Sequence, residues 1–282
     1  MSGPIQLPPP PPLRTRSVGD ILGDAFRLYA KHWLMLVQVV AVVAVPLTLI
    51  QYLVTDQLAE NVIIRRQVGG GTIEVVSEGD LWRGVVTALV VAIVSLLVTQ
   101  ILIGAIAWTV AGILVGREPS VSESYRFGSA KIWSILLVSV LAGLAIVGGF
   151  ILLIIPGLIV LTHLVCSIPA LVVEGKRGRA ALSRSWRLVR GRAWPVFGAL
   201  VVTGILASFV SSVLTAPVSE GWFAQGLLAS LASVITTPFT ALVVGLLYFD
   251  LRVRKENLSL VSPAMDCIFM HMMHEIVNRP GS

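Results

Sequence analysis

Six long apolar stretches, separated by short polar segments, set the pattern of the chain. They run over residues 33–55, 84–115, 132–154, 157–174, 193–216 and 226–248. A membrane-spanning helix needs about 20 mostly apolar residues, because each residue rises ~1.5 Å through a hydrocarbon layer ~30 Å thick. Continuous apolar runs favour helices, whereas strands of a membrane barrel alternate apolar and polar positions. The pattern therefore predicts an all-α polytopic integral membrane protein with six transmembrane helices.

Three polar segments that precede the first, third and fifth stretches share a motif. Each holds an aromatic–Arg–apolar triplet and, seven or eight positions after the aromatic residue, a tryptophan. The triplets begin at Phe26, Tyr125 and Trp186, and the tryptophans are Trp33, Trp133 and Trp194. In the first and third segments the apolar side chains fall on one helical face and the charged side chains opposite. The sequence thus predicts three repeated units, each an amphipathic helix followed by a transmembrane hairpin.

Composition and charge exclude a soluble protein and suggest an orientation. Hydrophobic residues make up 56% of the 282 residues and charged residues only 13%, whereas soluble domains carry about 25% charged residues. If the N-terminus is cytoplasmic, 18 of the 21 Lys and Arg residues lie in cytoplasmic segments. Because positive charge in short loops stays on the cytoplasmic side, the sequence predicts that both termini are cytoplasmic. The high isoelectric point therefore indicates a membrane protein and not a nucleic-acid-binding one.

The two ends of the chain differ from its middle. Residues 1–16 are proline-rich and predict a disordered head, residues 17–258 form the membrane domain, and residues 259–282 form a cytoplasmic tail. Within the membrane domain, Pro156-Gly157 predicts a tight external turn between the third and fourth stretches.

The segment 177–190 is the most basic of the amphipathic helices. An interfacial helix of this kind either anchors the bundle or also attracts anionic lipid headgroups, and each basic residue contributes roughly 1 kcal/mol near an anionic surface. Candidate headgroup contacts are Arg177, Arg179, Arg184, Arg187, Arg190 and Arg192. Candidate interface anchors, of the residue type enriched at membrane boundaries, are Trp33, Trp133, Trp186 and Trp194.

Candidate chemistry is otherwise sparse. His163 lies inside an apolar stretch, where an ionisable group is either functional or a satisfied packing residue. No phosphate-cradling loop, nucleophile elbow or metal-protease motif occurs in the sequence. We therefore expect no catalytic residues, no metal and no cofactor, and we expect that the protein is not an enzyme.

Three segments carry further motifs: PGLIVLTHLVCSIPALVVEGKRGRAALSRSWRLVRGRAWPVFG at 156–198, LLYFDLRVRKENLSL at 246–260 and SVGDILGDAFRLYAKHW at 17–33. They resemble the bacterial six-helix membrane domain named after the glycerophosphoryl diester phosphodiesterases, to which some members are fused. The resemblance covers roughly residues 14–260. It implies a protein of the bacterial inner (plasma) membrane. It does not imply phosphodiesterase activity, because the catalytic barrel is missing from this sequence.

These observations favour a non-catalytic scaffold or accessory subunit whose cytoplasmic helices contact membrane lipids, in particular anionic ones. The alternative is a transporter or lipid-translocating permease, and a third is the membrane component of a system that metabolises glycerophosphodiesters or lipids. A protein partner or a homo-oligomer is compatible with the sequence, and nucleic acid is not an expected partner.

Overall fold

The structure is a computed structural model that describes residues 17–68, 71–76, 78–114, 119–216 and 221–256, without side-chain detail for 56–81 and 222. The predicted disordered head, residues 1–16, and the predicted tail, residues 259–282, therefore both lie outside the described residues. The elements follow in the order α1 Val18–Val62, β1 Ile63–Val68, β2 Gly71–Val76, α2 Glu78–Leu114, α3 Val121–Ala130, α4 Ile132–Leu152, α5 Ile154–Leu164, α6 Ser167–Glu174, α7 Arg179–Val189, α8 Ala193–Thr215 and α9 Trp222–Glu256.

Six helical segments are long and apolar enough to cross a membrane. They are Val18–Thr55, Trp82–Leu114, Ile132–Leu152, Ile154–Glu174, Ala193–Thr215 and Phe223–Glu256. The prediction of a helical, multi-pass membrane protein with six candidate spans is thereby confirmed.

One element departs from the all-α prediction. Strands β1 and β2, between the first two spans, pair antiparallel from Ile63 with Val76 to Val68 with Gly71. The sequence contained the signal, since β-branched residues flank the pair Gly69-Gly70.

Each amphipathic segment is separated from the span that follows by a local change in backbone direction. Inside α1 the helix is interrupted at His32, with φ −115° and ψ 22°. Similar values occur at Lys131 between α3 and α4 (φ −110°, ψ 11°) and at Arg192 between α7 and α8 (φ −136°, ψ 24°). All three positions precede a predicted anchor tryptophan, Trp33, Trp133 or Trp194, by one or two residues.

Buried side chains concentrate where α3, α7 and the start of α1 pack on the ends of α2, α6 and α9, a region called the basic end below. Large, fully buried residues there include Trp108 on α2, Leu188 on α7 and Tyr248 on α9. The remaining lengths of α2, α4 and α8 instead expose large apolar side chains, including Leu89, Ile93, Leu144, Val147, Ile205 and Phe209. An apolar surface of this extent is expected to face lipid hydrocarbon.

Small residues allow α3 to fold back closely along α2. A side chain on Gly128 would collide with the backbone at Ile101, so the two helices touch through their main chains. On the same face Trp108 stacks on Phe127 with ring centroids 4.4 Å apart. These contacts hold α3 against the end of α2 and fix one side of the basic end.

The turn between α4 and α5 is shorter than the sequence predicted. It consists of Leu153 alone, which is extended (φ −172°, ψ 159°), and Pro156 lies within the first turn of α5. A proline is compatible with that position because the first helical amides have no partner within the helix. The two helices approach closely beside the turn, since a side chain on Gly149 would lie 3.0 Å from the Cα of Gly157.

The fourth apolar stretch forms two helices and not one. The regular α-helix is interrupted at Val165-Cys166, between α5 and α6: Val165 keeps helical backbone angles (φ −57°, ψ −34°), and Cys166 departs from them (φ −85°, ψ 8°). Ser185 of α7 spans this interruption, because its hydroxyl donates to the carbonyl oxygen of His163 at 2.6 Å and accepts from the amide of Cys166 at 3.1 Å. Helix α7 is therefore held against the interrupted span by two hydrogen bonds.

Candidate functional site

Four charged side chains meet at the basic end, where α6, α7 and α9 come together. Arg184 of α7 places its Nε 2.8 Å from both carboxylate oxygens of Glu174, the last residue of α6. Its Nη2 contacts the carboxylate of Glu256 on α9, and Arg252 Nε lies 2.9 Å from Glu256 Oε2. These residues, called the ion-pair cluster below, join the consecutive helices α6 and α7 to α9, which is distant in the sequence.

Two further side chains of α9 extend these contacts. The buried hydroxyl of Tyr248 donates to Glu174 Oε1 at 2.7 Å. Lys255 Nζ donates to the carbonyl oxygen of Arg190 at 2.7 Å and also to that of Arg187. Carbonyl groups at the end of a helix lack partners within it, so Lys255 stabilises the C-terminal end of α7.

The ion-pair cluster is electrically neutral and mostly shielded from solvent. The side chains of Glu174, Arg252 and Arg184 are 9%, 11% and 14% exposed, and that of Glu256 is 29% exposed. Burial lowers the pKa of Arg184, but its hydrogen bonds and Coulomb attraction to Glu174 and Glu256 outweigh burial and raise that pKa overall. Because each charge has an opposite charge beside it, the cluster stabilises the contact of α6 and α7 with α9. None of its four side chains is a free base or an unpaired cation.

The six arginines predicted to contact lipid divide into two groups. Arg184 is largely shielded in the ion-pair cluster, with 14% of its side chain exposed, so it is removed from the set of candidate headgroup contacts. The other five are exposed, as is Lys176. The exposed set is called the basic ridge below: Lys176, Arg177, Arg179, Arg187, Arg190 and Arg192.

The four predicted anchor tryptophans are all exposed. The exposed fraction is 50% for Trp33, 74% for Trp133 and 82% for Trp194. Trp186 is 38% exposed, because one face of its ring packs on His163 with centroids 4.3 Å apart. Exposed tryptophans at the starts of three spans fit the interface belt that the sequence predicted.

His163 is buried among packing contacts. Its Nδ1 lies 2.8 Å from the carbonyl oxygen of Ile159, and its ring packs on Trp186. These contacts are those of a satisfied packing histidine, the simpler of the two interpretations. Across the part of the chain that the structure describes, no group of three His, Cys, Asp or Glu side chains could hold a metal ion.

Sequence reasoning missed the ion-pair cluster, although its members stand in recognisable motifs. Glu174 closes the motif PALVVE, Arg184 lies in ALSRSW, and Arg252 and Glu256 lie in DLRVRKE. All three motifs belong to the segments that carry the family resemblance. The opposite charges of Glu174, Arg184, Arg252 and Glu256 were the only sign of a contact, and the sequence does not show which charges pair.

An apolar cavity of about 420 Å³, called the apolar groove below, opens between α2, α6 and α9. Its lining includes Val110 and Leu114 of α2, Val173 of α6, and Ala241 and Phe249 of α9. Thr236 and Thr240 also line it, but their hydroxyls donate within α9, to Ala232 O at 2.8 Å and to Thr236 O at 3.0 Å. The hydroxyl of Thr237, which also lines the groove, lies 3.4 Å from that of Ser233. Each threonine hydroxyl of the lining therefore has a partner within α9, and the wall is predominantly apolar.

Comparison with known proteins assigns the chain to one family. A family model described as "Domain of unknown function (DUF7847)" matches residues 18–253, and the chain belongs to that family. The match runs from the start of α1 almost to the end of α9 and includes Glu174, Arg184 and Arg252. No curated protein and no solved structure matches the chain. The resemblance to the membrane domains of glycerophosphoryl diester phosphodiesterases stays a prediction.

Proposed function

We propose that this family member is a non-catalytic integral membrane protein, a scaffold or accessory subunit, whose basic ridge holds anionic lipid headgroups. The observation that carries the proposal is the contrast between neighbouring arginines on α7. Arg184 is neutralised inside the fold, whereas the arginines of the basic ridge are exposed beside exposed tryptophans. Exposed guanidinium groups pair with phosphate oxygens in bidentate geometry.

The same proposal includes an orientation and a repeat. The basic end faces the cytoplasm, as the excess of positive charge there favours. The backbone changes at His32, Lys131 and Arg192 support three related units, each an amphipathic helix followed by a transmembrane hairpin. In this arrangement the three amphipathic helices form a cytoplasmic layer at the membrane surface.

The setting follows from the family resemblance. The resemblance favours a location in the bacterial inner membrane and an association with lipid metabolism. In that setting the protein would assist an enzyme and would not itself be one. The helical bundle and neutral ion-pair cluster are compatible with that role. A protein partner or a second copy would then complete the assembly.

Native mass spectrometry of the protein in mild detergent tests the lipid contact. With Arg177, Arg179, Arg187 and Arg190 all replaced by Gln, we expect retained phosphatidylglycerol to fall at least about tenfold, because four contributions of roughly 1 kcal/mol together exceed the ~1.4 kcal/mol that a tenfold loss requires. The matched control replaces the same residues by Lys, which preserves charge and most of the binding. Equal retention by the Gln variant and the unaltered protein would contradict the proposal.

A lipid-translocating permease is the second candidate, and two observations favour it. One is the interruption of a span at Val165-Cys166, and the other is the apolar groove beside it. Interrupted helices are common where transporters bind their substrates. Transfer of fluorescent lipid between the leaflets of vesicles containing the purified protein would support this role, and transfer no faster than in protein-free vesicles would count against it.

A further inference from the structure

We infer that the apolar groove between α2, α6 and α9 is a binding site for one acyl chain of an anionic membrane lipid. The anionic headgroup in this inference rests on the proposed function. The inference deepens that function by locating the lipid's acyl chain. The groove itself is an independent feature, and its volume of about 420 Å³ lies within the range of ligand cavities, ~300–1,000 Å³.

The shape of the groove fits an elongated apolar ligand. On α2 its lining runs from Ile103 to Leu114, and 11 helical steps correspond to roughly 16 Å. The buried side chains Val110, Val173 and Phe249 form its floor. The hydroxyls of Thr236 and Thr240 are hydrogen-bonded within α9. An acyl chain can therefore occupy the groove without depriving them of a partner.

The groove opens toward the surroundings of the bundle and not toward its interior. The rim residues Ile103, Ile168 and Ala241 are only half-buried and belong to candidate membrane spans. A lipid chain can therefore enter sideways from the surrounding hydrocarbon. A ligand arriving from water would have to cross the polar surface of the basic end.

The charges at one end of the groove select an anionic headgroup. Helix α6 lines the groove at Val173, and the exposed cations Lys176 and Arg177 follow within four residues. On α9, Arg252 lies one turn beyond the lining residue Phe249, but it is paired with Glu256 and Glu174, so the exposed cations near this end of the groove are Lys176 and Arg177. Positive groups therefore collect where the head of a lipid with its chain in the groove would lie.

Photo-crosslinking tests the site. The full chain is reconstituted in phosphatidylcholine vesicles containing phosphatidylglycerol with a diazirine in its acyl chain, irradiated, and mapped by peptide mass spectrometry. We expect adducts on the lining residues of α2, α6 and α9. We expect them to fall at least fivefold in Ala241→Phe, because the new ring fills the groove.

The control is Ala145→Phe, which places the same ring on the exposed face of α4 and should leave the adducts unchanged. Ala107→Leu, at the half-buried rim on α2, replaces Ala241→Phe if that variant does not fold. Equal groove labelling in the filled variant and in the unaltered protein would overturn the acyl-chain site.

A second probe separates this inference from the proposed function. The same diazirine chain carried by phosphatidylcholine should label the groove less strongly than the phosphatidylglycerol probe. The double variant Lys176→Gln, Arg177→Gln should lower labelling by the phosphatidylglycerol probe alone. If both probes label the groove strongly and the double variant changes neither, the selectivity for an anionic headgroup is refuted. The acyl-chain site would still be supported.

Discussion

Arg184 and Arg187 lie three residues apart on α7, yet their surroundings differ. Arg184 contacts two carboxylates and is 14% exposed, whereas Arg187 is exposed. The first side chain therefore contributes to folding and the second to the charge of the surface. Sequence periodicity places both on the polar face of the helix, so it cannot distinguish them.

We predict opposite consequences for these two arginines. Arg184→Gln should lower the free energy of unfolding in mild detergent by about 3 kcal/mol, because Glu174 and Glu256 lose a buried partner. Arg187→Gln should change it by less than about 0.5 kcal/mol, as surface substitutions usually do. Denaturant titration followed by tryptophan fluorescence measures both. Equal effects of the two substitutions would show that the ion-pair cluster does not brace the fold.

At the scale of an element, α7 is defined by what holds it in place. Its outer face carries the basic ridge, and its inner face closes the interrupted span through Ser185. Its C-terminal carbonyls accept from Lys255 of α9. Helix α7 is therefore a packed part of the bundle and not only an amphipathic segment on the membrane surface.

Two serines of α7 offer a matched test of that packing. Ser185→Ala should destabilise the protein by about 1–3 kcal/mol, since it leaves the amide of Cys166 and the carbonyl of His163 unsatisfied in a buried place. Ser183 is exposed and donates only to Ala180 within α7, so Ser183→Ala should be close to neutral. Thermal unfolding of both variants compares them. A neutral Ser185→Ala would mean that α7 does not support the interrupted span.

The sequence predicted the spans well and the contacts between them poorly. The thickness of the bilayer fixes the length of a spanning helix at about 20 residues, so an apolar run of that length predicts one directly. The bounds of the helices at 132–152 and 193–215 agree with the predicted stretches to within two residues. The ion-pair cluster depends on residues 72 and 74 positions apart, as in Arg184–Glu256 and Glu174–Tyr248. Periodicity carries no information about such pairs. The interruption at Val165-Cys166 was missed because both flanking segments are equally apolar.

At the scale of the whole molecule, packing is uneven along the membrane normal. The basic end contains most of the buried core, whereas the opposite lengths of α2, α4 and α8 expose apolar side chains. Protein side chains therefore complete the packing at the basic end, and the opposite lengths keep an exposed apolar surface of the kind expected to face lipid hydrocarbon. The functional surfaces proposed above, the basic ridge and the apolar groove, both belong to the well-packed end.

Cysteine labelling tests the orientation of this asymmetric bundle. Cys166 is buried and can stay, while Cys267 is replaced by Ser. A membrane-impermeant maleimide applied to intact cells should label Ala216→Cys, at the end of α8 remote from the basic end. It should label Ser183→Cys, on the exposed face of α7, only after permeabilisation. The reverse pattern would refute cytoplasmic termini.

The single-residue turn at Leu153 has a consequence for biosynthesis. From Val140 to Leu161, through α4, the turn and most of α5, no residue has a polar side chain. By contrast, the segment 56–81 between the first two spans carries several charged residues, and in the proposed orientation, with cytoplasmic termini, each of them has to cross the bilayer. The third and fourth spans can instead leave the insertion machinery together as one hairpin, since no hydrophilic group has to be translocated with their turn.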